Sequence, residues 1–277
     1  MNEKSQPKTQ AIKTWVRDAA EQLASAGITS ALLDAEIILA HTLRRSRTYL
    51  HAHGEDDISP RELDIANARL DLRLDRTPVA YIIGHKEFYG RQFKVTPSTL
   101  IPRPESEVLI TLLGTYIAPD AARLVDVGTG TGCLGITAKL EFPQLTVTLT
   151  DVSRHALKVA TANAEAHRAE VVIQQSDLLE SVAGMIDYCI ANLPYVDQSW
   201  ERSPETNHEP KLALFADDEG LALIYRLINQ ATTKITPGGL LLLEADPCQH
   251  DRITTYASTH GFTPIETTDY IVMLRKT

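Results

Sequence analysis

Five residues in one short segment could bind a ligand through their backbone atoms. They are Gly128, Thr129, Gly130, Thr131 and Gly132. The segment follows an apolar run at residues 124–127 and precedes a helical pattern. Glycines after a strand let the backbone turn sharply and approach a ligand, and the free N–H groups of the following helix point at a polar or negative group. This context predicts a cofactor-binding loop.

An acidic residue, Asp151, ends the next apolar run along the chain. A carboxylate at this point can accept hydrogen bonds from both hydroxyls of a ribose. Residues 130–135 also satisfy the dinucleotide pattern G-x-G-x-x-G, which is a weak signal by itself. These residues therefore do not decide which ribose-containing cofactor binds.

A second polar segment follows the apolar run at residues 186–191 and could hold a substrate. It contains Asn192, Leu193, Pro194 and Tyr195. A side-chain amide, a proline-fixed turn and an aromatic ring make a clamp for a flat group that bears nitrogen. Hydride transfer has no use for such a clamp. The two segments together predict an enzyme that transfers a methyl group from S-adenosylmethionine to a planar amide or amino nitrogen of a macromolecular substrate.

The remaining polar residues do not predict a metal site. His51, His53 and His208 lack partners at ligand spacing, and the three cysteines lie far apart with no C-x-x-C pair. Cysteines in this pattern indicate neither a disulfide framework nor zinc, so a reducing cytoplasm is the predicted location.

The elements that must position these segments can be read from hydrophobic periodicity. Helical spacing recurs at residues 11–26, 31–43 and 60–75, which predicts a small helical bundle, and residues 87–95 indicate a β-hairpin. From residue 123 onward, strand-like and helical runs alternate. Strands are predicted at 124–127, 146–150, 171–175, 186–191, 240–243, 262–266 and 270–274, with helices such as 154–166 and 221–235 between them.

This alternation predicts an α/β fold. The expected architecture is a doubly wound, mostly parallel sheet of seven strands with an antiparallel C-terminal strand. A helical bundle and a β-hairpin linker precede this sheet. The predicted domains are residues 1–83, a linker at 84–104, and a catalytic domain at 105–277.

Composition narrows the function class. The chain has 277 residues, of which 43% are hydrophobic and 23% charged, so it can bury a sizeable core. Its formal charge of -9 argues against a surface that holds polyanionic nucleic acid. Residues 1–10 are polar, and no apolar run is long enough for a membrane span, so neither a signal peptide nor a membrane association is predicted.

The sequence resembles the release-factor glutamine methyltransferases, the HemK family, over nearly its whole length. Besides the glycine segment and the Asn192 clamp, several short blocks match in order. They are Leu-Asp-Ala-Glu-Ile-Ile at 33–38, Pro-Val-Ala-Tyr-Ile-Ile-Gly at 78–84, Glu-Phe-Tyr-Gly at 87–90, Leu-Ile-Pro-Arg-Pro-Glu at 100–105, Ser-Asp at 176–177 and Glu-Pro at 209–210. The order and spacing of these blocks make coincidence improbable.

The resemblance implies a role for each matched residue. It assigns the cofactor's methionine part to residues 128–132, its ribose to Asp151, and its adenine edge to Asp177 and Leu178. It also assigns two acceptors to the substrate amide: the side-chain oxygen of Asn192, which borders the cofactor as well, and the backbone carbonyl of Leu193.

The resemblance places Pro194 in the same clamp and packs Tyr195 on the plane of the substrate amide. It implies that the substrate is the glutamine of the Gly-Gly-Gln motif in peptide-chain release factors. The helical domain would recognise that partner, and the enzyme is expected to be a monomer.

Three alternatives remain open from the sequence. A sibling activity would methylate a glutamine of a ribosomal protein. N6-adenine methylation of nucleic acid would present the same two N–H bonds to the same clamp, although the acidic charge argues against it. A catalytically weakened S-adenosylmethionine-binding protein is suggested by Leu193, because the family usually has proline there.

Overall fold

The computed structural model describes residues 9–118, 120 and 122–277. The chain divides into two compact units, one that ends at Gly84 and one that spans His85–Thr277. Residues 1–8, on which much of the expectation about a signal peptide rests, lie outside the described part. No helix in that part is long and apolar enough to cross a membrane.

The first unit is a helical bundle, as the sequence predicted. Its helices are α1 (Ile12–Ser25), α2 (Ala31–Leu43), α3 (Arg47–Ala52), α4 (Pro60–Leu74) and α5 (Val79–Ile83). Two short strands, β1 (Gln10–Ala11) and β2 (Asp57–Ile58), pair antiparallel. Helix α4 begins where expected, because the Ser59 hydroxyl accepts a hydrogen bond from the Glu62 N–H. Pro60 suits the first position of the helix because it has no N–H group that would need a partner there.

The second unit begins with a hairpin and continues as an α/β sheet. The hairpin strands are β3 (His85–Phe88) and β4 (Arg91–Lys94). The sheet strands are β5 (Arg123–Val127), β6 (Thr146–Asp151), β7 (Val171–Gln175), β8 (Ile186–Ala191), β9 (Ile235–Glu244), β10 (Phe262–Thr268) and β11 (Ile271–Lys276). The helices are α6 (Glu107–Tyr116), α7 (Cys133–Glu141), α8 (Arg154–His167), α9 (Lys211–Leu214), α10 (Ala222–Lys234) and α11 (His250–Ser258). Short 3-10 helices occupy Pro104–Ser106, Pro204–His208 and Pro247–Gln249.

The seven-stranded sheet has the order β10-β11-β9-β8-β5-β6-β7. Strands β5 to β9 pair in parallel, whereas β11 runs antiparallel to both β9 and β10. The predicted mostly parallel sheet with an antiparallel C-terminal strand is therefore confirmed. Strand β11 inserts between β9 and β10, so the edge position belongs to β10.

Helices cover both faces of the sheet. Successive side chains of each central strand point to opposite faces of the sheet. Val125 and Val127 pack in a core with α10 and α11, whereas Leu124 packs in a core with α6, α7 and α8. This two-sided burial explains why the central strands are almost uninterrupted apolar runs.

One buried polar side chain, Asp126, interrupts the run of β5. Its Oδ2 accepts from the Thr129 hydroxyl at 2.6 Å and from the Gly135 N–H at 2.9 Å. Its Oδ1 is buried and has no hydrogen-bonding partner among the described residues. Burial raises the pKa of Asp126 to about 6, although these two hydrogen bonds lower it. Asp126 thus ties the loop after β5 to the start of α7.

We expect this carboxyl group to make stability depend on pH. The native pKa lies above the ordinary value of 3.8, so the native state holds an extra proton between about pH 4 and pH 6. The stabilisation from that proton is complete below pH 4 and is lost as the pH rises through 6. The unfolding free energy of Asp126→Asn minus that of the wild type should therefore increase from pH 4 to pH 7.5, by on the order of 3 kcal/mol.

Urea unfolding of both proteins at the two pH values measures this gain. Glu170→Gln is the control, because Glu170 is exposed and the difference between that variant and the wild type should not change with pH. A difference between Asp126→Asn and the wild type that is equal at both pH values would contradict the expectation.

Candidate active site

A cavity of about 330 Å³ lies in the second unit, at the carboxyl edge of its parallel strands. Its walls include residues that follow β5, β6, β7 and β8. Register explains this convergence, because Val127 pairs with both Thr150 and Ala191 on neighbouring parallel strands. The size is typical of sites for small molecules and cofactors.

The glycine loop forms one wall and lies close to neighbouring side chains. Gly128 and Gly132 have φ values of +70° and +82°, which other residues adopt only with strain. A Cβ on Gly128 would lie 2.8 Å from Cδ2 of Leu193, and one on Gly132 would lie 2.7 Å from Cδ1 of Ile136. The loop therefore needs glycine at these points for both conformation and space. Residues 128–131 line the cavity, whereas Gly132 does not.

Asp151 lies beside the glycine loop, at the end of β6, and lines the same cavity. Its Oδ2 accepts from the Gly130 N–H at 3.0 Å, and its Oδ1 accepts from the Ser153 N–H at 2.8 Å. Burial raises its pKa above the ordinary value, while these N–H groups lower it. Each oxygen accepts one of these bonds and keeps a further lone pair, so the carboxylate can receive ligand hydroxyls.

Asp177 and Leu178 continue the wall after β7. The Asp177 carboxylate accepts from Arg226 of α10 at 2.8 Å, and Arg226 lines the cavity as well. Leu178 is buried and has φ of +52°. The apolar side chain of Leu178 beside a charged pair gives this end of the cavity both a flat apolar surface and a polar edge.

Asn192 lines the cavity just after β8, and its side chain is held by Ser106, which lines the cavity as well. Its Nδ2 donates to the Ser106 hydroxyl at 3.1 Å, and Ser106 donates to Glu244 Oε2 at 2.5 Å. Glu244 Oε1 accepts from the Tyr195 hydroxyl at 3.4 Å. Ser106 and Glu244 are 2% exposed each, so these bonds are shielded from water.

The carboxyl group of Glu244 titrates at an unusual pH. Burial raises its pKa to about 7, although hydrogen bonds from Ser106, Tyr195 and Asn192 lower it. Burial and the nearby Glu244 carboxylate also raise the pKa of the Tyr195 hydroxyl. Tyr195 therefore stays protonated as a hydrogen-bond donor at neutral pH.

The rest of the clamp is anchored by its backbone. Leu193 and Pro194 line the cavity, whereas Tyr195 does not. The Tyr195 carbonyl accepts from Gln249 Nε2 at 2.9 Å, and the same amide donates to the Glu219 carbonyl at 2.8 Å. Gln249 Oε1 accepts from the Asp246 N–H at 3.1 Å, so this buried amide uses both ends.

The segment at residues 101–103, which lines the cavity, is fixed by Glu209. The Glu209 carboxylate is buried and accepts from the Ile101 N–H at 3.2 Å and from Arg103 at 2.5 Å. This contact explains why two blocks more than a hundred residues apart both matter to the site.

Sequence reasoning missed three residues of the site: Ser106, Glu244 and Gln249. Glu244 had a usable signal, because it directly follows a buried run, as Asp151 does. Ser106 and Gln249 had none, since each acts through a partner distant in the chain. Among the described residues, no group of three or more histidine, cysteine or acidic side chains is arranged to hold a metal.

Two sequence families match this chain. Residues 14–84 match the family described as PrmC N-terminal domain, and residues 104–209 match the Methyltransferase small domain. A 16S rRNA methyltransferase from T. thermophilus, solved with AdoMet and guanosine, superposes with a TM-score of 0.54 and 16% identity over 70% of this chain and 49% of that one. That likeness shows the fold alone.

Curated relatives match over most of their length. A release factor glutamine methyltransferase of Koribacter versatilis is 37% identical over 85% of this chain and 88% of its own. One from Escherichia coli is 33% identical over 91% of this chain and 92% of its own. The chain therefore belongs to the release factor glutamine methyltransferase family, whose enzymes depend on S-adenosylmethionine.

Proposed function

We propose that this protein methylates the side-chain amide nitrogen of the glutamine in the Gly-Gly-Gln motif of peptide-chain release factors. The observation that carries the proposal is the orientation of Asn192. Its amide nitrogen donates to the Ser106 hydroxyl, which leaves Oδ1 as an acceptor for a substrate. The names of the relatives support the release factor as that substrate.

The cavity fits S-adenosylmethionine in shape and in chemistry. Residues 128–131 of the glycine loop line the cavity, and Asp151 offers carboxylate lone pairs for ribose hydroxyls. We assign residues 128–132 to the methionine part and Asp177 with Leu178 to the adenine edge. When bound, this cofactor supplies a methyl group on a positively charged sulfur.

The chain's own residues must make a poor nucleophile react. An amide nitrogen is weakly nucleophilic because its lone pair is delocalised into the carbonyl. Oδ1 of Asn192 and the carbonyl of Leu193 would accept its two hydrogens and point the lone pair at the methyl group. Both oxygens would also stabilise the positive charge that develops on the nitrogen, and one of the two N–H protons leaves after the transfer to give the neutral N-methyl amide. Pro194 fixes the turn, and the Tyr195 ring would pack beside the amide plane.

We assign substrate recognition to the helical unit, which corresponds to the proposed domain at residues 1–83. In this proposal, residues 84–104 link it to the catalytic domain at 105–277. The match of residues 14–84 to a family of their own supports a separate role for this unit. We further propose that the enzyme acts as a monomer in the cytoplasm, where translation termination takes place.

A transfer assay with labelled S-adenosylmethionine tests the function. The protein is offered a release factor, the same factor with the motif glutamine replaced by alanine, a ribosomal protein, and DNA. Label should appear only in the unaltered release factor. Label in the ribosomal protein or in DNA alone would contradict the proposal, and so would cofactor binding without transfer to any substrate.

Asn192→Ala should lower the single-turnover rate of methyl transfer by about 100-fold or more, because the substrate nitrogen loses one acceptor and its orientation. Cofactor affinity should change little. Asn229→Ala is the matched control, since Asn229 is exposed on α10 and does not line the cavity. Equal rates for Asn192→Ala and the wild type would refute the assigned role.

Asp151→Ala should weaken S-adenosylmethionine binding by about 10-fold or more, because a hydrogen bond to a charged group contributes about 1.5–3 kcal/mol. Calorimetric titration with the cofactor measures this change directly. Glu170→Ala, an exposed acidic site outside the cavity, should bind as the wild type does. An unchanged dissociation constant for Asp151→Ala would remove the ribose assignment.

A further inference from the structure

A row of hydrogen bonds joins three parts of the chain at one wall of the cavity. It links Asn192 after β8, Ser106 in the 3-10 helix before α6, and Glu244 at the end of β9. Ser106 and Glu244 are 138 positions apart in the sequence and both are buried. We call these three residues the carboxylate relay. None of the matched blocks or motifs assigns a function to Ser106 or Glu244.

The direction of each bond in the relay follows from simple donor counting. A carboxylate can only accept, so the single hydrogen of the Ser106 hydroxyl goes to Glu244. Ser106 is then left with lone pairs and can only accept from Asn192. The amide of Asn192 must therefore turn its NH2 group toward Ser106. Its oxygen faces the opposite way.

We propose that Glu244 is a positioning residue that, together with Ser106, fixes which end of the Asn192 amide faces the substrate. The inference rests on the proposed function, in which Oδ1 of Asn192 accepts a hydrogen from the substrate amide. A reversed Asn192 would turn its NH2 group toward the NH2 group of the substrate amide, and two hydrogen-bond donors repel each other. A free asparagine amide can rotate between both orientations, and the relay removes one of them.

The charge on Glu244 decides whether the relay has a direction. A protonated Glu244 can donate to Ser106, and Ser106 can then donate its own hydrogen to Oδ1 of a reversed Asn192. The titratable groups near this carboxyl group are Glu105, Tyr195 and Cys133. Tyr195 in turn lies near Asp246 and Tyr270. Because burial raises the pKa of Glu244 to about 7, the relay is set above that pH and loses its direction below it.

Two variants separate positioning from structural support. Glu244→Gln removes the charge. Ser106→Ala removes the hydroxyl between Asn192 and Glu244 and leaves the carboxyl group of Glu244 in the protein. Each should lower kcat with a release factor by about 10- to 100-fold at pH 8.5, with the cofactor dissociation constant within about twofold of the wild type. The wild-type rate should fall as the pH drops through about 7, and this acid limb should vanish in Glu244→Gln.

Glu105→Gln is the matched control, because it removes an exposed negative charge near Glu244 and leaves the relay intact. It should keep the wild-type kcat at pH 8.5 and retain the acid limb. Full activity of either relay variant at pH 8.5, or an acid limb that survives in Glu244→Gln, would overturn the proposal.

A measurement without substrate keeps this inference separate from the proposed function. In 15N-labelled protein, the side-chain NH2 signal of Asn192, identified through Asn192→Ala, should shift with pH around 7. The shift should be absent in Glu244→Gln. A signal that ignores pH in the wild type would refute the relay, whereas a titrating signal in a protein that methylates no release factor would refute only the function.

Discussion

The parallel pairing of β5 with β8 is the constraint on which the site depends. Parallel strands end at a common edge, and the pairing of Val127 with Ala191 brings the residue after each strand side by side. Gly128 and Asn192 are those two residues. The missing Cβ of Gly128 leaves room for the Leu193 side chain, so the cofactor loop and the clamp interlock. A shift of one residue in this register would separate the two halves of the chemistry.

Three acidic residues at strand ends give this edge its polarity. Asp126, Asp151 and Glu244 are each held by N–H or hydroxyl donors, and burial raises the pKa of each. Burying a carboxylate is unfavourable unless donors compensate for the lost water. The donors come from Thr129, Gly130, Ser106 and their neighbours, so the loops that carry the site are fixed by the same contacts that keep these groups buried.

Much of the fold could be predicted from periodicity, because long amphipathic or apolar runs dominate it. Six of the seven sheet strands and the helices at residues 12–25 and 154–167 lie within two residues of their predicted bounds, whereas β9 begins at Ile235, five residues before the predicted start at 240. The short helices α3, α5 and α9 escaped prediction, since four to six residues carry too little pattern. Ser106 and Gln249 escaped because their roles come from tertiary contacts. Leu193 replaces a stiff proline, yet its side chain is buried in the core, which anchors the loop in another way.

The central claim is that Asn192 offers an oxygen to a flat NH2 group beside the cofactor. A crystal structure with S-adenosylhomocysteine and a peptide that contains Gly-Gly-Gln would test it most directly. The account predicts that Oδ1 of Asn192 lies about 3 Å from the glutamine amide nitrogen, with Nδ2 still on Ser106. An Asn192 side chain turned away from the glutamine, or a glutamine bound elsewhere in the cavity, would contradict the account.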